Sequence, residues 1–170
     1  MSGAAPAAWL AMHRRLLPAG DALDVACGRG RHALWLAEQG RRVTAIDRDE
    51  VALHELAEEA RRRGLSLVTE LADLETESAS LPAAAFDVVV VVHYLHRPLF
   101  PQLLAALRPG GVLVYETFTT AQAARGKPSN PEFLLRPGEL RDLVGSLEVL
   151  ESREGEFDGR DVASVVARKA

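Results

Sequence analysis

Cysteine is nearly absent from this chain, and hydrophobic runs long enough to cross a membrane are lacking. Cys27 is the single cysteine among 170 residues, which excludes an intrachain disulfide and leaves too few thiolates for a structural zinc site. Apolar runs such as Val88 to Val92 are far shorter than the roughly 20 residues that span a membrane. The apolar stretch 9–12 continues directly into His13-Arg14-Arg15, so no secretion signal is expected. These absences predict a cytoplasmic protein with neither a bound metal nor a membrane partner.

An excess of positive charge is also missing. The formal net charge is -4 and the isoelectric point is about 5.7, which argues against a broad phosphate-binding surface and hence against nucleic acid as a partner. The basic run Arg61-Arg62-Arg63 lies at the end of a predicted helix, where cations stabilise the helix dipole. What the chain does contain is 48% apolar residues, enough for one core. We therefore expect a single domain over residues 1–170.

Hydrophobic periodicity divides the chain into alternating strands and helices. Strands are predicted over residues 21–26, 42–47, 65–71, 86–92, 112–118, 147–153 and 161–168. Helices are predicted over residues 31–39, 50–63, 98–107 and 137–145, after a leading helix over 6–17 within the segment 1–18. Residues 119–135 are rich in Ala, Pro, Asn and Gly. Loops of this length are often lids or binding loops, so this segment is a candidate lid.

This order of elements predicts an α/β protein with a doubly wound, mostly parallel, seven-stranded sheet of the Rossmann-like type. The last two strands are close enough in sequence to form an antiparallel hairpin at the sheet edge, with Gly155 and Gly159 in its turn. In such sheets a ligand binds beyond the carboxyl ends of the strands. Polar residues follow four of these ends, at Asp24 to Gly30, Asp47, Asp73, and His93 to His96. Their convergence on one edge predicts a ligand site there.

The glycine-rich turn after the first strand is compatible with more than one cofactor. Gly28-Arg29-Gly30-Arg31-His32-Ala33 satisfies the dinucleotide pattern G-x-G-x-x-A, with Asp47 as a ribose acceptor. A nicotinamide-dependent oxidoreductase is therefore one hypothesis, and a cofactor-binding module without turnover is another. Two features argue against the oxidoreductase: Asp24 stands four residues before Gly28, and a chain this short leaves little room for a separate substrate domain.

The run Asp24-Val25-Ala26-Cys27-Gly28-Arg29-Gly30 resembles the first motif of class I S-adenosylmethionine-dependent methyltransferases, D-x-G-x-G-x-G, with Ala26 in place of the first glycine. The resemblance covers nearly the whole chain. It includes the acidic end of strand two, the Asp73-Leu74 pair, the Pro109-Gly110-Gly111 turn before strand five and the terminal hairpin. Within that superfamily, the sequence Cys27 to Arg31 and the short length resemble the small tellurite-resistance-type methyltransferases.

The resemblance implies a role for each matching position. Asp24 would hold the amino group of the methionine part of the cofactor. Asp47 would accept both ribose hydroxyls, Asp73 would accept from the adenine amino group, and Leu74 would supply a backbone contact. His93 would line the methionine end and the substrate pocket. The implied cofactor-binding residues are Asp24, Ala26, Cys27, Gly28, Gly30, Asp47, Arg48, Asp73, Leu74 and His93.

The implied reaction is an in-line transfer of the methyl group of S-adenosylmethionine to a small-molecule acceptor. Positioning is the main contribution of the protein to such a reaction, and it can be worth on the order of 7–11 kcal/mol. Where the acceptor must lose a proton, His93 and His96 are the candidate catalytic residues, because histidine has the best matched pKa. The residues leave open the identity of the acceptor and the oligomeric state.

Overall fold

Seven strands form one sheet in the computed structural model, which describes residues 4–170. The sheet order is β3-β2-β1-β4-β5-β7-β6. The strands are β1 Asp21–Val25, β2 Arg42–Asp47, β3 Leu67–Leu71, β4 Phe86–Val92, β5 Leu107–Phe118, β6 Glu148–Phe157 and β7 Arg160–Arg168. The first five strands are parallel, and β7 pairs antiparallel with both β5 and β6. The predicted doubly wound sheet with a terminal hairpin is therefore confirmed.

Short helices cover the sheet. The α-helices are α1 Ala8–Met12, α2 Arg31–Glu38, α3 Glu50–Arg62, α4 Phe100–Ala106 and α5 Glu139–Leu143. Segments of 3-10 helix follow α1, at Arg14–Leu16, and precede α4, at Arg97–Leu99. Within residues 4–170, none of the helices combines the length and the apolar character needed to cross a membrane.

The valine run of β4 supplies both hydrophobic cores. Val89 and Val91 belong to the core that α4 and α5 cover, whereas Val88 and Val90 belong to the core under α1, α2 and α3. All four side chains are completely buried. Because successive side chains of a strand point to opposite faces, only a central strand covered on both sides has an uninterrupted apolar sequence. β4 is therefore the central strand of the sheet.

Several local predictions differ from the structure. The leading helix, predicted over 6–17, ends as an α-helix at Met12. Strand β5 begins at Leu107 and not at residue 112, because Leu107 pairs with Phe86 and residues 108–111 form a bulge before Val112 pairs with Val88. The Pro109-Gly110-Gly111 turn that the sequence predicts is this bulge. Gly110 has a φ of 81°, and its N–H donates to the carbonyl of Lys169, the residue that follows β7.

The terminal hairpin and the candidate lid differ in detail as well. Gly155 lies inside β6, and the hairpin turns at Asp158 and Gly159, whose φ angles are 53° and 76°. The segment 119–135 contains 3-10 helices at Thr120–Ala124 and Pro131–Phe133 instead of being wholly irregular. Movement of this segment as a lid stays a prediction.

One ion pair joins the end of this segment to the loop after β4. Glu139, at the start of α5, is only 8% exposed and accepts hydrogen bonds from Arg97 Nε and Nη2 at 2.5 and 2.9 Å. Arg97 Nη2 also donates to the Leu134 carbonyl, at 2.9 Å. The hydrogen bonds from Arg97 lower the pKa of Glu139 from its ordinary 4.5 to about 2. Arg97 therefore connects the loop after β4 both to the start of α5 and, through Leu134, to the end of the 119–135 segment.

We expect Glu139→Gln to lower the free energy of unfolding at pH 7 by about 1–3 kcal/mol. Because the folded-state pKa of Glu139 lies below 4.5, its stabilising contribution is complete above that pH and is lost as the pH falls toward 2. Urea unfolding across this range should show a flatter pH dependence for the variant. Glu58→Gln, which removes an exposed partner of Arg61, is the control; an equal loss in both variants would contradict the special role of Glu139.

Candidate active site

The turn that joins β1 to α2 presents bare backbone at the carboxyl edge of the sheet. Three of its residues have left-handed backbone conformations, with φ angles of 54° at Ala26, 54° at Gly28 and 81° at Gly30. A Cβ placed on Gly30 would stand 2.5 Å from the Leu56 side chain, so this position must be glycine for α3 to pack. A Cβ on Gly28 would meet nothing within 4 Å. The open space over Gly28 is where a ligand can approach the main chain.

Asp47, at the end of β2, fixes the shape of this turn. Its Oδ2 accepts the Gly28 N–H at 2.8 Å, and its Oδ1 accepts the Asp49 N–H at 2.9 Å. Each carboxylate oxygen has a second lone pair, so Asp47 can accept two more hydrogen bonds from a ligand. A pair of neighbouring hydroxyl groups fits this requirement.

The first cleft, of about 140 Å³, lies along the ends of β1 to β4. Its walls combine carboxylates with small apolar surfaces: Ala26, Asp47, Arg48, Ala72, Asp73, Leu74, Glu75 and Tyr94. Five of the predicted cofactor-binding residues meet here, namely Ala26, Asp47, Arg48, Asp73 and Leu74. An elongated ligand with hydroxyl and amino donors would find acceptors at both ends of this cleft.

Asp24 lies beneath the turn and not on the wall of a cavity. It is 1% exposed, and its Oδ2 accepts the Ala33 N–H at 2.9 Å, which satisfies one of the free donors in the first turn of α2. Burial raises the pKa of Asp24 to about 7, although the Ala33 hydrogen bond opposes this shift and the Asp47 charge adds to it. The role that the structure describes is the fixing of helix α2 under the turn. A direct contact between Asp24 and a ligand amino group stays a prediction.

Cys27 contributes through its backbone. Its N–H donates to the Ile46 carbonyl at 3.0 Å and its carbonyl accepts the Gly30 N–H at 2.9 Å. The side chain is buried, and burial raises the pKa of the thiol above its ordinary value. A thiol that resists ionisation is a poor nucleophile. The contribution of Cys27 is therefore the pair of backbone hydrogen bonds that stabilise the turn.

His93 faces a second cavity on the other side of the turn. Its backbone has a φ of 58°, its N–H donates to the Glu116 carbonyl at 2.9 Å, and its ring stacks on Phe118 at 4.6 Å between centroids. The second cavity has a volume of about 230 Å³. Its walls come from the leading segment, the start of α2, the ends of β4 and β5 and the hairpin: Ala5, Pro6, Ala7, Ala8, Arg31, His93, Glu116, Arg153, Phe157, Asp158, Arg160 and Val162.

The surroundings of His93 favour the neutral form of its ring. Desolvation lowers its pKa below 6.5, and the positive charges of Arg160 and Arg31 lower it further, while Glu116 opposes them. A neutral imidazole has one nitrogen free to accept a proton. His93 is therefore chemically suited to act as a base on a molecule in the second cavity.

His96 is not brought together with His93. Its Nδ1 is 3.9 Å from Oε1 of Glu75, and the ring lies on the wall of neither cavity described above. Although the two histidines are three residues apart in the sequence, the chain turns between them. The catalytic role that the sequence assigns to His96 stays a prediction, and the geometry favours His93.

Several lining residues were not identified by the motifs. Arg31, Arg153 and Arg160 line the second cavity, but arginines on a helix start and on a surface hairpin carry no signature in the sequence. His32 accepts the Ala7 N–H at 3.1 Å through Nε2, and Arg31 donates to the Ala5 carbonyl at 3.2 Å. These two bonds hold the leading segment as a wall of the second cavity.

The family follows from a comparison of the chain with protein families. A family model described as a methyltransferase domain matches residues 22–111, which run from β1 through the glycine turn to the bulge of β5. The chain belongs to this methyltransferase family. The resemblance to S-adenosylmethionine-dependent methyltransferases that the sequence predicts is therefore confirmed at the level of the family.

Individual relatives agree with the family but are longer. A Mycolicibacterium smegmatis protein named "Probable S-adenosylmethionine-dependent methyltransferase" is 33% identical over 163 residues, which cover 87% of this chain and 59% of that protein. A protein named "Hemagglutinin 1" from Eikenella corrodens is 28% identical over 137 residues, 78% of this chain and 45% of that protein. The present methyltransferase chain thus spans about half of the length of these relatives.

The fold also has solved counterparts. The crystal structure of TehB from Haemophilus influenzae superimposes with a TM-score of 0.80 at 22% sequence identity, covering 99% of this chain and 64% of that one. At this identity the similarity concerns the fold alone. It extends the methyltransferase fold to the leading segment and the terminal hairpin, which lie outside the family match.

The buried carboxyl of Asp24 makes the stability of the methyltransferase depend on pH. Because its folded-state pKa of about 7 lies above its ordinary 3.8, the folded state binds more protons, and the contribution of this group falls as the pH rises from about 4 to about 7. We expect Asp24→Asn to flatten the pH dependence of unfolding in this window and to be more stable than the parent at pH 8 by about 1 kcal/mol or more. Asp142→Asn, at an exposed position, is the control, and an unchanged slope in Asp24→Asn would refute the assignment.

Proposed function

We propose that this chain, acting as a single domain, binds S-adenosylmethionine in the first cleft and transfers its methyl group to a small-molecule acceptor in the second cavity. The observation that carries the proposal is the Asp47 carboxylate. It is held against the open backbone of Gly28 with acceptor capacity to spare. Family membership and the name of the Mycolicibacterium smegmatis relative support the same choice of cofactor.

The residues of the first cleft fit this cofactor by the chemistry of their donors and acceptors. Asp47 would accept the ribose hydroxyls, and Asp73, at the next strand end, would accept from the adenine amino group. Leu74 and Ala72 provide apolar surface for the adenine ring. The open face of Gly28 would take the methionine part, because no side chain intervenes there.

The two cavities meet at consecutive residues after β4. Tyr94 lines the first cleft and His93 lines the second cavity. An acceptor beside His93 would therefore lie next to the methionine end of a cofactor that extends across Gly28. This arrangement supports an in-line transfer between the two sites.

The bound cofactor would supply a methyl group on a positively charged sulfur, to which the acceptor lone pair bonds while the carbon–sulfur bond breaks and its electron pair stays on sulfur. The chain would contribute orientation, which is the larger effect in such reactions. His93 would take the proton that an O–H, N–H or S–H acceptor releases. Its neutral state, favoured by desolvation and by Arg160 and Arg31, prepares it for this step.

The acceptor class follows from the walls of the second cavity. Residues 5–8, held by His32 and Arg31, close one side of it, so the space favours a small molecule over a macromolecular surface. The net charge of -4 also argues against nucleic acid as the acceptor. The nicotinamide alternative gains no support from the relatives described above.

A thermal-shift titration tests the cofactor assignment. We expect S-adenosylhomocysteine to raise the melting temperature with increasing concentration and NAD to leave it unchanged. Asp47→Ala should weaken S-adenosylhomocysteine binding by about 1–3 kcal/mol, because the ribose hydrogen bonds are lost. Since Asp47 also holds the turn, Asp47→Asn serves as a second variant that keeps the side-chain volume. Stabilisation by NAD alone would reject the methyltransferase proposal.

The base role of His93 predicts a separation between turnover and cofactor binding. We expect His93→Gln to reduce turnover about 10²-fold or more, the size of a typical acid–base contribution, while the affinity for S-adenosylhomocysteine changes little. A screen of small acceptors with labelled S-adenosylmethionine supplies the assay. His54→Gln, at an exposed position on α3, is the matched control. Parallel losses in turnover and cofactor affinity would show that His93 belongs to the cofactor site only.

A further inference from the structure

The second cavity contains more cationic hydrogen-bonding capacity than its own residues use. Arg31, Arg153 and Arg160 bring three guanidinium groups to its walls, against the carboxylates of Glu116 and Asp158. Arg31 lies at the start of α2 and donates to the Ala5 carbonyl. The other two guanidinium groups, those of Arg153 and Arg160, belong to the hairpin. Their environment indicates which chemical group the acceptor carries.

The strand register places these hairpin residues on one face of the sheet. Ser164 of β7 is the partner of both Glu116 of β5 and Arg153 of β6, and Arg160 is the partner of Phe157. Cross-strand partners have side chains on the same face, and so do residues two or four positions apart along a strand. Both arginine side chains therefore project toward the face that carries the leading segment and α2.

Arg153 is held in a fixed position with one donor unused. Its Nη2 lies 3.4 Å from Glu116 Oε2, and its guanidinium carbon is 3.9 Å from the Phe157 ring centroid and 4.9 Å from that of Trp9. Stacking on two aromatic rings fixes the plane of a guanidinium group. Its Nε is buried and, within residues 4–170, has no hydrogen-bond partner. The side chain as a whole is 21% exposed, so a ligand in the second cavity can reach the guanidinium group only at its other nitrogens.

Arg160 is the second unused cation. Other arginines of the hairpin region form ion pairs, Arg125 with Asp161 and Arg168 with Glu148. Among the described residues 4–170, neither a hydrogen bond nor an ion pair engages the Arg160 side chain. Arg160 and His93 line the same cavity, and the Arg160 charge helps to lower the pKa of His93. An unpaired cation in the cavity of the base can bind the far end of an acceptor.

The acids of the cavity do not neutralise this pair. Oε2 of Glu116 accepts from the Ser164 hydroxyl and from Arg153, so its charge is already shared with Arg153. Asp158 lies in the hairpin turn with a left-handed backbone and forms no ion pair with Arg160 in the structure. A ligand with a negative charge would balance the Arg160 cation, which neither of these two acids pairs with in the structure.

We propose that the methyl acceptor is a small organic acid whose carboxylate is bound by the guanidinium groups of Arg160 and Arg153, with its nucleophilic atom directed to His93. This assignment rests on the proposed methyltransferase function and names the substrate class for it. The planar fork of a guanidinium group matches a carboxylate, and charge-assisted bonds of this kind are about twice as strong as neutral ones. The carboxylate selects and orients the acceptor, while the His93 imidazole stays free to take the proton.

Calorimetric titration of the protein saturated with S-adenosylhomocysteine tests the substrate class without requiring turnover. The probes are salicylate, protocatechuate and thioglycolate, each compared with its neutral amide. We expect at least one acid to bind at least tenfold more tightly than its amide. Arg160→Gln should remove this preference, and Arg160→Lys should restore part of it, because the charge returns without the planar fork.

Two controls distinguish a loss of the acceptor site from a general effect of the substitution on the protein. Arg168→Gln changes an exposed arginine at the other end of β7 and should keep the parent preference. The affinity for S-adenosylhomocysteine should be the same in all variants.

Three outcomes would each overturn the organic-acid assignment while leaving the methyltransferase function in place. They are equal binding of acids and amides, no binding of any acid to the saturated protein, and a preference that survives Arg160→Gln. Failure of S-adenosylhomocysteine to bind would instead reject the proposed function and the acceptor assignment with it.

Discussion

The hydrogen bond from the Gly28 N–H to Asp47, at 2.8 Å, is the contact on which the arrangement of the site depends. It ties the turn after β1 to the end of β2, and the second oxygen of Asp47 binds the start of the next helix through Asp49. The turn contains three left-handed residues and cannot form regular strand or helix bonds, so an outside acceptor must fix it. The same carboxylate also lines the first cleft.

Left-handed backbone conformations at non-glycine residues occur on the walls of both cavities. Ala26 and His93 both have positive φ angles, 54° and 58°, in a conformation that costs about 1–2 kcal/mol for a residue with a Cβ. Each is held by neighbouring structure: Ala26 lies in the turn fixed by Asp47, and the His93 N–H bonds to Glu116 while its ring stacks on Phe118. Strained residues of this kind cluster at functional sites. The strain directs Ala26 into the first cleft and His93 into the second cavity.

Most of the fold could be predicted from local patterns. β2 and β4 have the predicted bounds. Two of the errors, at β5 and at Gly155, share one cause. The bulge before Val112 exists because β5 pairs with both β4 and β7, and Gly155 lies inside β6 because its partner Val162 extends the ladder. Pairing with a distant strand overrides what a glycine indicates locally.

The sequence by itself determined the family, the sheet and the sheet edge at which the first cleft lies, because a glycine turn, an apolar period and an acidic strand end each occupy a few neighbouring residues. The tertiary structure alone decided that Asp24 is buried under α2 and that His93, not His96, faces the second cavity. It also placed Arg153 and Arg160 on the walls of the same cavity as His93, although they are 60 and 67 positions away in the chain. Burial and cross-strand register depend on which distant segments pack together, so no local pattern contains them.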